Sequence, residues 1–169
     1  LRIQSLMKIN NHLLEVIEKL EKNALIDGIQ KLVVGAAISD GDKILILIRS
    51  DNDSFLAGYA EIPGGGVEKE QGETIIEALE RETKEETGLN IDRVIDYIGS
   101  FDYMSESGKK TRQLNFLLET DSSKIILDSD MEHSDHVWCR PDDTKILNSL
   151  TMSNKMRKVI RDISIYNRK

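Results

Sequence analysis

Three glutamates recur at helical spacing within the segment ETIIEALERETKEETGL, residues 73–89. Glu82, Glu85 and Glu86 stand at positions i, i+3 and i+4, so in a helix their carboxylates fall within about 100° of arc on one face. Like charges at this spacing repel one another and destabilise a helix. A hard divalent cation reverses that repulsion, because Mg²⁺ and Mn²⁺ prefer oxygen ligands. The pattern therefore predicts that these three side chains hold a metal ion.

The residues around these glutamates are those that such a site would need. Arg81 can pair with Glu85 at i, i+4 or with Glu73, and so orient a carboxylate. Three consecutive glycines follow Pro63, and glycines let a backbone approach a metal or a phosphate closely. Gly88 is typical of a residue that ends a helix. We expect a glycine loop followed by a metal-holding helix.

The combined pattern resembles the Nudix box, the signature of hydrolases that cleave nucleoside diphosphates linked to another group; its residues here are Pro63-Gly64-Gly65-Gly66, a spacer, then Glu73-x7-Arg81-Glu82-x2-Glu85-Glu86-x-Gly88. The resemblance implies that the carbonyl of Gly64 is a further metal ligand. One feature departs from the family pattern. Seven residues separate Gly65 from Glu73, where the family usually has five, which leaves open the role of Glu73 and the path of the loop at 68–72.

The resemblance also implies a fold and a reaction. The fold class is α/β (α+β), arranged as a Nudix-type α/β/α sandwich with a mixed, curved sheet and an added N-terminal helix. The enzyme is expected to be MutT-like and to use Mg²⁺, or Mn²⁺, to cleave a pyrophosphate linkage, with a (d)NTP as the first substrate to test. An ADP-ribose or NDP-sugar hydrolase and a non-catalytic nucleotide-sensing module are the alternatives. A solvated helix face would explain a run of charges alone, but it does not explain the joint match.

Cleavage of a pyrophosphate needs cations on its oxygens and an activated water, because the linkage is anionic and repels a nucleophile. Glu132 stands six residues before Trp138, where related hydrolases often place a late acid that binds metal or acts as a base. It could equally be a solvated acid. His133 and His136 lie nearby and could titrate near neutrality, although loop histidines more often serve structure.

Several residues could bind the substrate. Arg49 ends one predicted strand and Arg112 begins another together with Gln113, so they could reach phosphate or base; surface ion pairing is the alternative. The backbones of Gly65 and Gly66 could approach phosphate. Four aromatic residues could stack on a base or pack in the core: Tyr59, Phe101, Tyr103 and Phe116.

Composition limits the partners. The net charge of −7 argues against binding to nucleic-acid polymers or to anionic membranes, which need a basic surface. A nucleotide substrate remains compatible, because a metal and a few local cations can reverse the potential inside one cleft. The single cysteine, Cys139, suits a reducing compartment. With no apolar run of about 20 residues and no signal peptide, we predict a cytoplasmic protein.

The chain divides into two predicted parts. Residues 1–28 form an amphipathic helix that either packs on its own domain or contributes to a homodimer interface; its apolar stripe is Leu6, Ile9, Leu13, Val16 and Leu20. Residues 29–169 form the hydrolase domain. We predict strands over 32–38, 43–49, 93–104, 111–120 and 136–140, helix 73–87, a loop over 50–66, a helix with Pro141 in its first turn, and a last helix with the stripe Met156, Val159, Ile160 and Ile163.

Overall fold

The computed structural model describes residues 7–52, 55–127 and 132–167. Its helices are α1 (Asn11–Ile26), α2 (Ile75–Thr87), α3 (Thr144–Ser149) and α4 (Asn154–Tyr166), and its strands are β1 (Lys31–Asp40), β2 (Lys43–Arg49), β3 (Ala60–Glu61), β4 (Gly64–Gly66), β5 (Ile91–Met104), β6 (Lys110–Thr120) and β7 (His133–Cys139). The predicted mixture of helices around one mixed sheet is confirmed.

The sheet runs in the order β3-β2-β1-β6-β5, with β4 paired to β1 and β7 paired to β2. The β1–β6 pair is parallel and the other pairs are antiparallel. Strand β2 pairs with β1 only beside their hairpin, where Ser39 faces Ile44. Farther along the same edge of β1, β4 takes the place of β2, from Val33 to Gly35. This divergence splits the sheet beside the three glycines and leaves room for a cleft.

Helices cover both faces of the sheet. One core contains Val34, Ala36 and Ile38 of β1 under α1 and α2, and the other contains Ala37 under α4. Strand β1 is buried on both faces, as its continuous apolar sequence predicts. The predicted stripe of α4 is also confirmed, because all four of its members are buried: Met156, Val159, Ile160 and Ile163.

Helix α1 packs on the sheet of its own domain. It begins after the N-cap Asn10, whose Oδ1 accepts a hydrogen bond from the Leu13 backbone N at 2.7 Å. The buried positions are Leu13, Ile17 and Ala24, which belong to the first core. Of the predicted stripe, Leu13 is buried, Val16 and Leu20 pack partly buried on the same core, Ile9 precedes the helix, and Leu6 lies outside the described residues. A role of this helix in a homodimer stays a prediction.

Three predicted boundaries were wrong. The loop expected over 50–66 contains β3 and β4, because the glycines of β4 allow close pairing with β1; a Cβ on Gly64 would overlap the Val34 carbonyl oxygen. Pro141 lies before α3 rather than in its first turn, since Asp143 caps that helix by accepting from the Ile146 backbone N at 3.0 Å. The strand expected at 136–140 is β7, which begins at His133 and pairs with β2. Among the described residues, no helix combines the length and apolar character needed to cross a membrane.

Candidate active site

Helix α2 is positioned by strong local signals at both ends. Thr74 and Glu77 form a reciprocal capping box, with Thr74 Oγ1 accepting from the Glu77 backbone N at 3.1 Å and Glu77 Oε2 accepting from the Thr74 N at 3.0 Å. Gly88 ends the helix in the left-handed conformation at φ 75°. The side chains that dock α2 on the sheet are Ile75, Ala78 and Leu79, all buried, with Ile76 partly buried beside them. One and two turns farther along, the same face carries Glu82 and Glu86, which lie against the glycine strand β4.

Arg81 joins that helix face to the glycine strand. Its guanidinium holds Glu73 with two bonds, Nε to Oε1 at 2.6 Å and Nη2 to Oε2 at 3.0 Å. Nη2 also donates to the Gly66 carbonyl at 2.9 Å, and Nη1 contacts Glu82 Oε1 at 2.7 Å and Glu85 Oε2 at 3.3 Å. These partners raise the pKa of Arg81, so it stays charged. Both pairings anticipated from the sequence, with Glu73 and with Glu85, therefore occur together.

The two extra residues of the glycine-to-helix loop do not displace Glu73. The loop that contains them forms an exposed 3-10 turn, Lys69–Gln71, that precedes it. Glu73 Oε2 accepts from the Glu68 backbone N at 2.8 Å, and Arg81 lowers the pKa of the Glu73 carboxyl by hydrogen bonding to it. The longer loop is accommodated at the exposed surface, and Glu73 remains ionised and paired with Arg81.

The three box glutamates occupy different environments. Glu86 is 4% exposed and its Oε2 accepts from the Gly64 backbone N at 3.1 Å. Burial, together with the neighbouring charges of Glu132, Glu61 and Glu82, raises the pKa of Glu86 to about 9. Burial also raises the pKa of Glu82 despite its bond to Arg81. The Glu85 side chain is 54% exposed.

Gly65 is the residue that allows Glu82 its position. A Cβ on Gly65 would overlap the Glu82 carboxylate. Only glycine therefore lets this carboxylate lie against the backbone of β4. The glycine backbone thus lies against Glu82 and Glu86. Its predicted approach to a metal or a phosphate, and the Gly64 carbonyl as a metal ligand, stay predictions.

A second group of polar side chains faces the box from β2, β3 and β7. Arg49 Nη1 contacts Glu61 Oε1 at 2.8 Å and Glu132 Oε1 at 3.3 Å, and His133 Nε2 lies 2.9 Å from the same Glu61 oxygen. The potential ligand atoms of Glu61, Glu132 and His133 all lie within 4.8 Å of one another. Within the described ranges this is the one group of three or more such side chains that meets that spacing, since Glu82 and Glu85 turn toward Arg81.

The glycine strand, with Arg49, Glu61 and Glu132, borders a cleft with a volume of about 430 Å³. The predicted residues Arg81, Glu82, Glu85 and Glu86 lie behind the glycines and are not among the residues that line it. Of the residues proposed from sequence, those that line it are Arg49, Gly64, Gly65, Gly66, Phe101, Tyr103, Gln113 and Glu132. Phe116 is fully buried in the first core, so it cannot stack on a substrate. Among the described residues, Tyr59 and His136 do not line this cleft.

Arg112 is not at the cleft, contrary to the prediction. It alternates with Gln113 along β6, so it points to the opposite face of the sheet. There it forms two bonds to Asp102, at 2.7 and 2.9 Å, and one to Asp27 at 2.9 Å. The Arg112 guanidinium in turn lowers the pKa of Asp102. Its role is the surface ion pairing that the sequence left as the alternative.

Sequence reasoning missed Glu61 and the two cleft lysines, Lys31 and Lys155. Glu61 carried a usable signal, because it is a charged residue between Ala60 and Ile62, both of which are apolar and buried. The lysines carried none, since each belongs to a strand end or a helix start that is far from the box in sequence.

With the geometry established, comparison with known proteins identifies the family. The family model described as the NUDIX domain matches residues 30–163. The chain belongs to the Nudix family. It is accordingly a hydrolase that acts on pyrophosphate bonds. A search of curated proteins finds no match.

Solved structures of Nudix proteins share this fold. The MutT protein of Methanosarcina mazei Go1 is 27% identical, with a TM-score of 0.68 over 82% of this chain and 96% of that one. The Ap4A hydrolase of C. elegans, in a binary complex, is 21% identical, with a TM-score of 0.62 over 82% and 98%. The NUDIX domain of Shewanella oneidensis NrtR, complexed with ADP ribose, is 15% identical, with a TM-score of 0.62 over 85% and 96%.

Proposed function

We propose that this Nudix hydrolase is a Mg²⁺-dependent pyrophosphohydrolase whose preferred substrate is a (d)NTP. The observation that carries the proposal is the buried acidic face of α2 held against the glycine strand by Arg81, with Glu61 and Glu132 opposite it in a cleft of about 430 Å³. A structural relative named as a MutT protein, at 27% identity, is in keeping with the MutT-like resemblance from which the triphosphate was inferred.

The side chains present fit a hard divalent cation. Glu86 is buried and Glu82 is partly buried; burial raises the pKa of both carboxyls, and repulsion from neighbouring carboxylates adds to it. Arg49 and Arg81 offset only part of this charge. A hard cation held by oxygen ligands would remove the remaining repulsion. Mg²⁺ therefore suits the site, and Mn²⁺ suits it by the same chemistry.

Each residue then has a role. Glu82, Glu85, Glu86 and the Gly64 carbonyl would hold the metal, which when bound neutralises charge on the diphosphate and lowers the pKa of coordinated water. Arg81 orients Glu82 and Glu85 from its anchor on Glu73. Among the remaining cleft residues, Glu132 would accept the proton of the attacking water, and phosphate oxygens would meet Arg49 and the backbones of Gly65 and Gly66.

The test is a turnover screen with product identification. The parent enzyme is assayed with Mg²⁺ on nucleoside triphosphates, ADP-ribose, NDP-sugars and Ap4A, and products are separated by chromatography. Glu85→Gln is expected to lose 10²-fold or more of kcat/KM on the best substrate, on the order of 3 kcal/mol. Glu80→Gln makes the same change on the same helix, on a surface that it shares with Glu77 and Lys84, and should keep the parent rate. A Glu85→Gln variant as active as the parent would contradict the assigned role.

Two alternative functions have separate outcomes in the same screen. Faster cleavage of ADP-ribose, an NDP-sugar or Ap4A than of any triphosphate would redirect the assignment to a hydrolase of that substrate, and two of the structural relatives are named for such ligands. A nucleotide-sensing module would show no turnover and a metal-independent thermal shift with one nucleotide. Retention of Glu82, Glu85 and Glu86 together with Arg81 favours the enzyme.

A further inference from the structure

The cleft has a second end that the acidic chemistry does not use. It is lined by Phe101, Tyr103, Gln113 and Lys155. The rings of Phe101 and Tyr103 lie 5.9 Å apart, centroid to centroid, at an angle of 42°. Lys155 Nζ stands 5.9 Å from the first ring centroid and 6.0 Å from the second. Two aromatic rings with a cation over them form a surface on which a flat base can stack, once the flexible lysine side chain makes room for it.

An amide pair lies beside these rings. Asn115 is 1% exposed, and its Oδ1 accepts a hydrogen bond from Gln113 Nε2 at 2.9 Å. Gly35 leaves the space that this pair occupies, because a Cβ there would overlap Asn115 Oδ1 and lie 2.7 Å from Gln113 Nε2. Since the Gln113 nitrogen is turned toward Asn115, the Gln113 carbonyl oxygen is the atom left to accept from a ligand. Within the described ranges no side chain donates to that oxygen.

The strand register sets the distance between the two ends. Val33 of β1 pairs with Gly66 on one side and with Gln113 on the other, and Gln113 pairs with Phe101. With strands spaced by about 4.8 Å, Gln113 lies roughly 10 Å and Phe101 roughly 14 Å from Gly66. A nucleotide whose diphosphate lies at the glycine strand would therefore extend its base, through the ribose, toward Gln113 and the two rings.

We propose that this end of the cleft binds the nucleobase and that Gln113 selects bases that carry an exocyclic amino group. Phe101 and Tyr103 provide the stacking surface, the Gln113 carbonyl accepts from the amino group, and Asn115 is a positioning residue that fixes the orientation of the Gln113 amide. A base with a keto oxygen at the same place would face the Gln113 carbonyl with a second acceptor. This inference rests on the proposed function, because it concerns the other end of the same substrate.

The test compares substrates that differ in the exocyclic group and in the ring nitrogen beside it, which carries a hydrogen only in the keto bases. ATP and ITP differ in having an amino group or a keto oxygen on the purine, and CTP and UTP differ in the same way on the pyrimidine. We expect kcat/KM to favour ATP over ITP by about tenfold, with the same direction for CTP over UTP, because an acceptor left facing an acceptor loses its hydrogen bond. Equal rates within each pair would overturn the inference.

Variants locate the preference in the amide pair. Gln113→Leu should bring the ATP to ITP ratio close to one, and Asn115→Ala should lower it by freeing the Gln113 amide to rotate. Gln71→Leu makes the same change in the exposed 3-10 turn outside this cleft and should leave the ratio at the parent value. A preference that persists in Gln113→Leu would assign the selection to another residue and overturn the proposal.

Binding measurements separate this inference from the proposed function. Calorimetric titration of ATP and ITP into the Glu85→Gln variant with Mg²⁺ reports base selection without turnover. Tighter binding of ATP with no hydrolysis by the parent enzyme would sink the proposed function and support the inference. Hydrolysis by the parent with equal binding of both nucleotides would support the proposed function and overturn the inference. Binding of neither nucleotide would overturn the proposed function and the inference together.

Discussion

The two walls of the candidate site are built in different ways: the box wall carries Glu73, Arg81 and the box glutamates, and the facing wall carries Arg49, Glu61, Glu132 and His133. The box wall comes from one stretch of chain, in which Arg81 pairs with Glu73, Glu82 and Glu85 over separations of 8, 1 and 4 residues. Its bonds to the glycine strand, from Arg81 to Gly66 and from Gly64 to Glu86, span only 15 and 22 residues. The facing wall joins Arg49 to Glu132 and Glu61 to His133, pairs that are 83 and 72 residues apart. Local geometry assembles the first wall, and strand pairing assembles the second.

This difference predicts how each wall responds to change. On the box wall one guanidinium holds three carboxylates and a carbonyl, so its loss should be felt at every partner. On the facing wall no single side chain positions the others, because the β2–β7 and β2–β3 pairings already fix their places. Single changes there should cost less.

The largest effect is expected from Arg81. Replacement by Ala frees Glu82 and Glu85 and removes the anchor on Glu73, so we expect kcat/KM to fall by about 10² to 10³. Arg81→Lys should recover only part of this, because one ammonium cannot reproduce the two bonds to Glu73. Steady-state kinetics with circular dichroism as a folding control provides the measurement. A rate within threefold of the parent in Arg81→Ala would remove the central difference between the walls.

Substitutions on the facing wall come next. Glu132→Gln and Glu61→Gln should each lower kcat/KM by roughly 10- to 100-fold. The pH profile distinguishes their roles, since loss of a base at Glu132 should abolish the acidic limb of the profile, whereas loss of Glu61 should only lower the plateau. If neither variant lost activity, the site would consist of the box wall alone.

A paired glycine experiment tests whether the box wall depends on the close contact of Glu82 with the glycine strand. Gly65→Ala places a Cβ on the Glu82 carboxylate, so we expect the affinity for Mg²⁺ to fall by about tenfold. Gly66→Ala brings its Cβ only to 3.3 Å of Lys31 Cε, the flexible end of a side chain, and should be milder. Calorimetric titration with Mg²⁺ measures both. Equal losses in the two variants would show that the Glu82 contact is not the cause.

The pH dependence of stability tests the charge crowding around Glu86. Its pKa is raised from 4.5 in the unfolded chain to about 9 in the fold, so the folded state binds the extra proton between these values. In the metal-free protein, measured in EDTA, the contribution of Glu86 to the free energy of unfolding should therefore be largest below pH 4.5. That contribution should decline as the pH rises toward 9. We expect Tm to fall by roughly 5 °C or more across this window, and Glu86→Gln to flatten the decline.

The smallest effect is expected from Arg112. Because its guanidinium pairs with Asp102 and Asp27 on the other face of the sheet, Arg112→Met should change kcat/KM by less than about twofold, although local stability would fall by up to about 1 kcal/mol. The matched cleft cation is Arg49, whose replacement by Met should reduce kcat/KM by tenfold or more. A large loss in Arg112→Met would contradict the assignment of this residue to the outer surface.

The sequence by itself determined the box wall, the family and the reaction class. Helical periodicity, the capping signals at Thr74 and Gly88, and the i, i+4 relation of Arg81 to Glu85 are local, so the order of residues specifies them without knowledge of the fold. The tertiary structure decided which distant residues join the site. Strand alternation turned Gln113 into the cleft and Arg112 away from it, and the pairing of β2 with β3 and β7 brought Glu61 and His133 together. Those placements depend on sheet register, which is a property of the assembled strands and cannot be deduced from the residue spacing within any one segment.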